Sequence, residues 1–141
     1  MTDEFIIAFD PGITTGVAFL EKGVFHGLQW TEHEVYEHVD EWCDRFDHVQ
    51  IEAFVINAGT VKKTIVYDSL YLIGYLRYAA WRCGFESDMS KPADVMQSFP
   101  DSALKRVGWH TPGMGHANDA ARHLARYMVK TRRMNGGDFL R

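Results

Sequence analysis

The strongest constraint on the fold is a compact apolar run, residues 4–10 (EFIIAFD), that stops at an acid followed by Pro11-Gly12. A run so short and so continuously apolar reads as a central strand, covered on both faces. Two further runs, Thr15–Glu21 and Val24–Trp30, flank Lys22-Gly23 and read as a hairpin. The chain therefore opens with three strands in an antiparallel meander.

Helical signals come next. Thr31-x-x-Glu34 is a capping box, and Val35, Val39, Trp42 and Phe46 follow at helical spacing, which predicts a helix over 32–46. Residues 48–55 (HVQIEAFV) read as a fourth strand and 56–63 as a loop. A long helix is expected over 64–83, stopped by Gly84. A short strand follows over 85–89 and a short helix over 92–97; 101–108 fits more than one state. Residues 110–115, with one Pro and two Gly, form a loop. The last helix spans 117–133, with Ala117, Ala120, Ala121, Leu124, Ala125 and Met128 on one face. The order β-β-β-α-β-α-β-α predicts an α/β fold: a mixed sheet with helices on its faces.

There is no internal repeat or linker, so residues 1–141 read as a single domain. Hydrophobic residues make up 46% of the chain, including four Trp, nine Phe and six Tyr, which excludes a disordered chain. No apolar run approaches the roughly 18 residues of a membrane span. The start, Met-Thr-Asp-Glu, is acidic where a signal peptide is basic, so a cytoplasmic protein without a membrane partner is expected. Cys43 and Cys83 follow no metal spacing and read as buried free thiols.

The net charge of −4 is unevenly spread. Residues 1–58 hold twelve acidic and two basic residues, a net of −10; residues 101–141 hold eight basic and three acidic, a net of +5. This asymmetry points to a polyanion partner for the C-terminal part, or to a solvated charged helix.

Three places focus acids. Asp10 closes the first strand, as a functional acid or as a turn former. Gly12 and Gly16 beyond it serve either a close backbone approach or a turn. Glu52 sits inside an apolar strand, where a carboxylate is either paired, metal-bound or turned to water. Alternation puts Gln50, Glu52 and Phe54 on one face of that strand. His116 and Asp119 stand at i, i+3 in the first turn of the last helix, and His123 extends their row off the apolar face. Acids from two strands and one helix, spaced 42 and 67 residues apart, suit a hard divalent ion such as Mg²⁺ or Mn²⁺. Two such ions can clamp the attacking and leaving oxygens of a phosphodiester.

Residues 7–16 (IAFDPGITTG) resemble the first motif of the RuvC-like Holliday junction resolvases, within the ribonuclease H-like superfamily. Ile51-Glu52 is similar to their second motif. His116-Ala117-Asn118-Asp119-Ala120 is similar to their last, in the form where His rather than Asp fills the third position of the tetrad. The resemblance implies a ribonuclease H-like fold with a mixed five-stranded sheet, three N-terminal antiparallel strands and helices on both faces. It implies a metal-dependent endonuclease that resolves four-way junctions by paired nicks, leaving 5′-phosphate and 3′-hydroxyl ends. Asp10, Glu52, His116 and Asp119 would form the catalytic, metal-binding tetrad, holding two Mg²⁺ or Mn²⁺ ions. A homodimer in a bacterial or phage-infected cell is implied, with no nucleotide cofactor.

In that family the loop after the second acid carries a DNA-probing aromatic and basic residues. Here Phe54, Lys62 and Lys63 occupy it, although the family's aromatic stands three residues past the acid, where this chain has Val55. Phe54 is thus a DNA contact or a sheet-face packing residue. Lys105 and Arg106 are further DNA-binding candidates. Arg122 and Arg126, with Lys130 and Arg133, form a phosphate track or a solvated helix face. Tyr67, Tyr71, Tyr75 and Tyr78 stripe the long helix as a dimer seam or as its core face.

Two other substrate readings stand beside the junction: a flap or fork debranching nuclease, and a catalytically dead structure-specific DNA-binding module. The first motif also resembles the phosphate loop of actin-like sugar kinases, but those need two closing domains and a second phosphate loop, neither of which this sequence holds.

Overall fold

The computed structural model describes residues 3–55 and 67–140. One sheet is built from β1 (Phe5–Asp10), β2 (Thr15–Glu21), β3 (Val24–Trp30), β4 (His48–Glu52) and β5 (Glu86–Ser90), in the order β3-β2-β1-β4-β5. The first three strands pair antiparallel, and β4 and β5 continue the sheet in parallel from β1. The expected mixed five-stranded sheet is therefore present, with β1 at its centre. The turn between β2 and β3 has positive φ at both Lys22 (51°) and Gly23 (77°), the mirror-image turn that matches strand twist.

Four α-helices are described, α1 (Glu32–Trp42), α2 (Asp68–Cys83), α3 (Asp101–Arg106) and α4 (Gly115–Lys130), and the short helix expected over 92–97 is a 3-10 turn, Pro92–Asp94. The Thr31–Glu34 capping box starts α1 as expected. That helix ends at Trp42 rather than at 46, and Phe46 reaches the same core from beyond its end. The stretch 101–108 resolves as α3, and Gly108 behind it takes a left-handed φ of 77°.

Two apolar layers sandwich the sheet. Phe5, Ile7 and Phe9 of β1 face α1 and α2, with Val49, Ile51, Val39 and Leu76. Ile6 and Ala8 face α3 and α4, with Leu104, Leu124, Ala120 and Ala121. Alternation along β1 thus feeds both layers, and it turns Asp10 toward the same side as Ala8. That side is lined by small residues on both partners, Ala8 and Ala18 on the sheet and Ala117, Ala120, Ala121 and Ala125 on α4. Small against small lets α4 lie close on the sheet.

Three expectations are corrected. Cys43 and Cys83 are not free thiols but form a disulfide, with their Cα atoms 5.8 Å apart. One stands just past α1 and the other ends α2, and the packing of those helices brings them within bridging range. The tyrosine stripe is split: Tyr75 is half-buried, edge-on to Tyr36 with its hydroxyl donating to the Tyr36 carbonyl, while Tyr67, Tyr71 and Tyr78 are exposed. Finally, β4 ends at Glu52, so alternation no longer governs Phe54, which packs against the α1–α2 layer.

Candidate active site

The ends of β1 and β4 lie side by side: Phe9 pairs with Ile51, one residue short of Asp10 and Glu52. The strand ends therefore deliver two carboxylates to one place, and the start of α4 brings the rest. Gly16, on β2 opposite Asp10, makes this approach possible. A Cβ there would stand 1.8 Å from the His116 carbonyl oxygen, so the first turn of α4 rests directly on the β2 backbone. The Gln29 side chain accepts from the His116 N–H at 3.2 Å and holds that turn in place. Asn118 ties the preceding loop down through two hydrogen bonds with the Thr111 backbone, at 2.8 and 3.1 Å. On the far wall, Ser69 near the start of α2 donates to the Pro11 carbonyl at 2.7 Å.

As a result His116 Nδ1 lies 3.1 Å from Asp10 Oδ2, and ligand atoms of Asp10, His116 and Asp119 all fall within 4.8 Å of one another. Glu52 completes the group from the other side, hydrogen-bonded to Asp10. All four candidate ligands are thus gathered. Asp10 and Glu52 open onto a groove of about 310 Å³ whose wall includes Phe54, Val55 and Pro92, while Asp10, His116 and Asp119 line an adjoining one of about 500 Å³ with Thr14 and Ser69. Phe54 therefore borders the acids while it packs against the core.

The electrostatics are those of crowded, partly dehydrated anions. Burial, reinforced by the hydrogen bond and charge of Glu52, pushes the Asp10 carboxyl up to about 8, against a weaker pull from His116. Burial also raises Glu52, against the hydrogen bond from Asp10 and the charge of Arg122. Two carboxyls held together at a partly buried place favour a shared proton or a bound cation over two bare charges. Three carboxylates and an imidazole are a donor set suited to Mg²⁺ or Mn²⁺. A divalent cation supplies the missing positive charge, so the residues fit such an ion.

A pH dependence follows. Asp10 is raised in the folded protein above its ordinary value of 3.8. Its contribution to stability is therefore full below about pH 4 and is lost as pH rises through about 8. In chelator, thermal stability is expected to fall between pH 6 and 8.5. Because protons compete with cations for these ligands, added Mn²⁺ should restore more at pH 8 than at pH 6. At a hundredfold excess over Kd the gain is about 2.7 kcal/mol, or roughly 10 °C for a domain of this size. Melting curves with and without Mn²⁺ at the two pH values check it; equal shifts at both would contradict the ligand assignment.

The basic candidates divide. Arg122 is not on a phosphate-facing row: it is 7% exposed, pairs with Asp119 (2.8 Å) and Asp101, and donates to the Phe99 carbonyl at 2.9 Å. It lies under α4 against α3, where its charge is spent on those acids. Arg133 pairs with Glu4 and covers the Tyr127 ring. Arg126 is half-buried, and Lys130, Lys105 and Arg106 are exposed. Lys62 and Lys63 lie outside the described residues. His123 is not at the surface either but 1% exposed, with burial pushing its imidazolium down to about 4, so the ring is neutral. Its place in the row with His116 and Asp119 was legible as helical spacing; its burial was not, because Glu52 and Ser90 come from other elements. Gln29 and Ser69 carry no motif, and Asn118 lies inside the last motif with no role assigned to it; only the folded arrangement reveals what the three hold in place.

No protein-family model matches the sequence, and no curated protein does. Among solved structures, RuvC of Thermus thermophilus in complex with a Holliday junction substrate superposes with a TM-score of 0.68. It is 17% identical and covers 92% of this chain and 96% of that one. A second Thermus thermophilus RuvC structure gives the same TM-score and coverage at 18% identity. The fold is thus ribonuclease H-like, in the arrangement found in RuvC. Among the described residues, no helix is long and apolar enough to cross a membrane.

Proposed function

We propose that this chain is a metal-dependent endonuclease that cleaves branched DNA, with four-way junctions as its main substrate. The observation that carries this reading is the cluster of Asp10, His116 and Asp119, with Glu52 against Asp10 on the neighbouring strand, on a fold shared with a protein solved on a Holliday junction. Asp10, Glu52, His116 and Asp119 would hold two divalent ions. Bound there, the cations supply charge neutralisation at the scissile phosphate and a lowered pKa for the attacking water.

The chain's own groups do the positioning. Asp10 and Glu52 stand on adjacent central strands, which hold them rigidly. His116, with Nδ1 3.1 Å from Asp10 Oδ2, would ligate one ion through a ring nitrogen, and the attacking water gives its proton to solvent. Water oxygen bonds to phosphorus, the P–O3′ bond breaks, and the 3′-oxygen takes a proton from solvent, giving 5′-phosphate and 3′-hydroxyl ends. Phe54, Lys105, Arg106 and Arg126, with Lys62 and Lys63, are the proposed DNA contacts. Arg122 serves instead to hold Asp119.

Cleavage of a mobile junction, a flap and a linear duplex, side by side in Mg²⁺, Mn²⁺ and chelator, tests the reading. Paired nicks in the junction, dependent on the cation, are expected. Equal cutting of flaps would favour a debranching nuclease, and binding without cutting in either metal would leave a DNA-binding module.

Paired nicks need two sites on one junction, and α2 offers a surface for a second copy. Tyr67, Leu70, Tyr71, Tyr78 and Trp81 are exposed along one side, Trp81 by 80%. Gly74, with nothing within 4 Å of where a Cβ would stand, lies amid them and lets a partner approach closely. Light scattering on a sizing column is expected to give a dimer of about 32 kDa from the 16.2 kDa chain. Tyr71→Glu with Trp81→Glu should give a monomer that binds junctions but nicks them singly. A wild-type monomer at micromolar concentration would remove this surface from the reading.

Such an enzyme works in the cytoplasm of a bacterium or phage-infected cell, a reducing compartment. The Cys43–Cys83 bond closes the far end of α2, fourteen residues past Ser69 along a helix rising about 1.5 Å per residue, roughly 20 Å from Ser69 and the groove. Dithiothreitol is therefore expected to lower the melting temperature and leave the cleavage rate unchanged.

A further inference from the structure

A file of buried polar side chains runs through the layer between the sheet and α4 and ends at Glu52. His48 Nδ1 lies 3.0 Å from Glu86 Oε1 at the surface, and His48 Nε2 lies 2.8 Å from Gln50 Oε1. Gln50 Nε2 donates to Ser90 Oγ at 3.1 Å, and Ser90 Oγ is 2.5 Å from His123 Nδ1. His48, Gln50, Ser90 and His123 are each 3% exposed or less. Beyond His123 the file stops: among the described residues His123 Nε2 and Glu52 Oε2 are both buried without a hydrogen-bond partner, 3.6 Å apart.

Four polar side chains in an otherwise apolar layer are costly unless each is satisfied. Their polarity is fixed by direction. Gln50 presents its amide N–H to Ser90, so the Ser90 hydroxyl accepts one bond and has its own proton to give. It gives that proton to His123 Nδ1. A neutral imidazole has one N–H, which must then sit on Nε2, facing Glu52. The reversed file would put a bare Nε2 lone pair against the Glu52 carboxylate, which is repulsive, whereas an Nε2–H aims a donor at the Glu52 oxygen that has no hydrogen-bond partner among the described residues.

We propose that His123 is a positioning residue: its Nε2–H, set by the Ser90–Gln50–His48 file, orients the Glu52 carboxylate for the divalent cation. This rests on the metal-dependent reading above. His123 itself touches neither DNA nor the cation.

The test uses the 141-residue chain, Mn²⁺ alone as the probe, and four variants. His123→Leu is expected to weaken Mn²⁺ binding, followed by calorimetry or by the free Mn²⁺ signal in electron paramagnetic resonance, about 10–100-fold, as for other partners behind metal ligands. His123→Gln, whose amide nitrogen reaches the place of Nε2, should recover most of that loss. Ring nitrogen shifts of ¹⁵N-histidine-labelled protein should show His123 as the Nε2–H tautomer, and Ser90→Ala should lose that fixed state. Wild-type affinity in His123→Leu, or an Nδ1–H tautomer in the unmutated protein, overturns the proposal. If His123→Leu does not fold, by circular dichroism, the tautomer and the His123→Gln affinity decide. Asp10→Asn separates the two readings. If it loses Mn²⁺ while His123→Leu does not, positioning falls alone; if Asp10→Asn binds Mn²⁺ like the unmutated protein, the metal reading falls and positioning with it.

Discussion

Gly16→Ala is expected to reduce cleavage by about 100-fold or more and to lower the melting temperature by roughly 5–15 °C. The added methyl would meet the His116 carbonyl oxygen at 1.8 Å, the His116 carbonyl carbon at 2.2 Å and the Ala117 nitrogen at 2.9 Å. All three are backbone atoms of a sixteen-residue helix, so no side chain can swing aside. Overpacking of this kind costs about 1–3 kcal/mol or more, and relief comes only if α4 slides off β2. That slide carries His116 away from Asp10, now 3.1 Å distant, and displacements near 1 Å can cost 10²-fold in rate. Gly27→Ala is the matched control. Its methyl would meet the Thr111 hydroxyl at 2.5 Å, a side chain that can rotate, so most activity should survive. A Gly16→Ala protein that melts and cuts like the unmutated one would mean that the start of α4 does not have to touch β2 for the site to form.

The same glycine shows what a sequence carries and what it withholds. Gly16 read equally well as part of a turn or as a place of close approach, because φ freedom and the missing Cβ are both local properties. Only the docking of α4, a hundred residues further on, chooses between them. The meander, the capped first helix and the small-residue face of α4 were legible because each follows from periodicity within one segment. Asp10, Glu52, His116 and Asp119 were legible as candidates through their motif positions, and their convergence follows from β1 pairing with β4. Arg122 was misread because its row on the helix is polar. The acid that pulls it inward, Asp101, belongs to α3, a segment with no clear pattern of its own. The free-thiol reading of Cys43 and Cys83 failed for a related reason: helix packing between distant segments sets the distance between them. Errors thus concentrate where a residue's partner lies in another element.

Asp10→Asn is expected to cut at least about 10³-fold more slowly while binding junctions as before. Its half-buried carboxylate is in contact with both Glu52 and His116, and charge stabilisation worth several kcal/mol depends on it. The amide keeps the shape of the group and its hydrogen bonds but brings no charge to a cation. Stability should move the other way. In the unmutated protein, chelator leaves an acid that folding holds up to about 8, so deprotonating it above that pH opposes the folded state. Asn has no proton to lose, and its N–H₂ can donate to Glu52. In chelator the variant should therefore melt near the unmutated protein at pH 6 and above it at pH 8.5. With Mn²⁺ the order should reverse, because only the unmutated protein gains from the ion. This crossing of two melting profiles separates loss of a ligand from loss of the fold, which would lower the variant under every condition. Cleavage at the unmutated rate by Asp10→Asn would refute the metal-dependent mechanism, since no other acid lies on the central strand beside both Glu52 and His116.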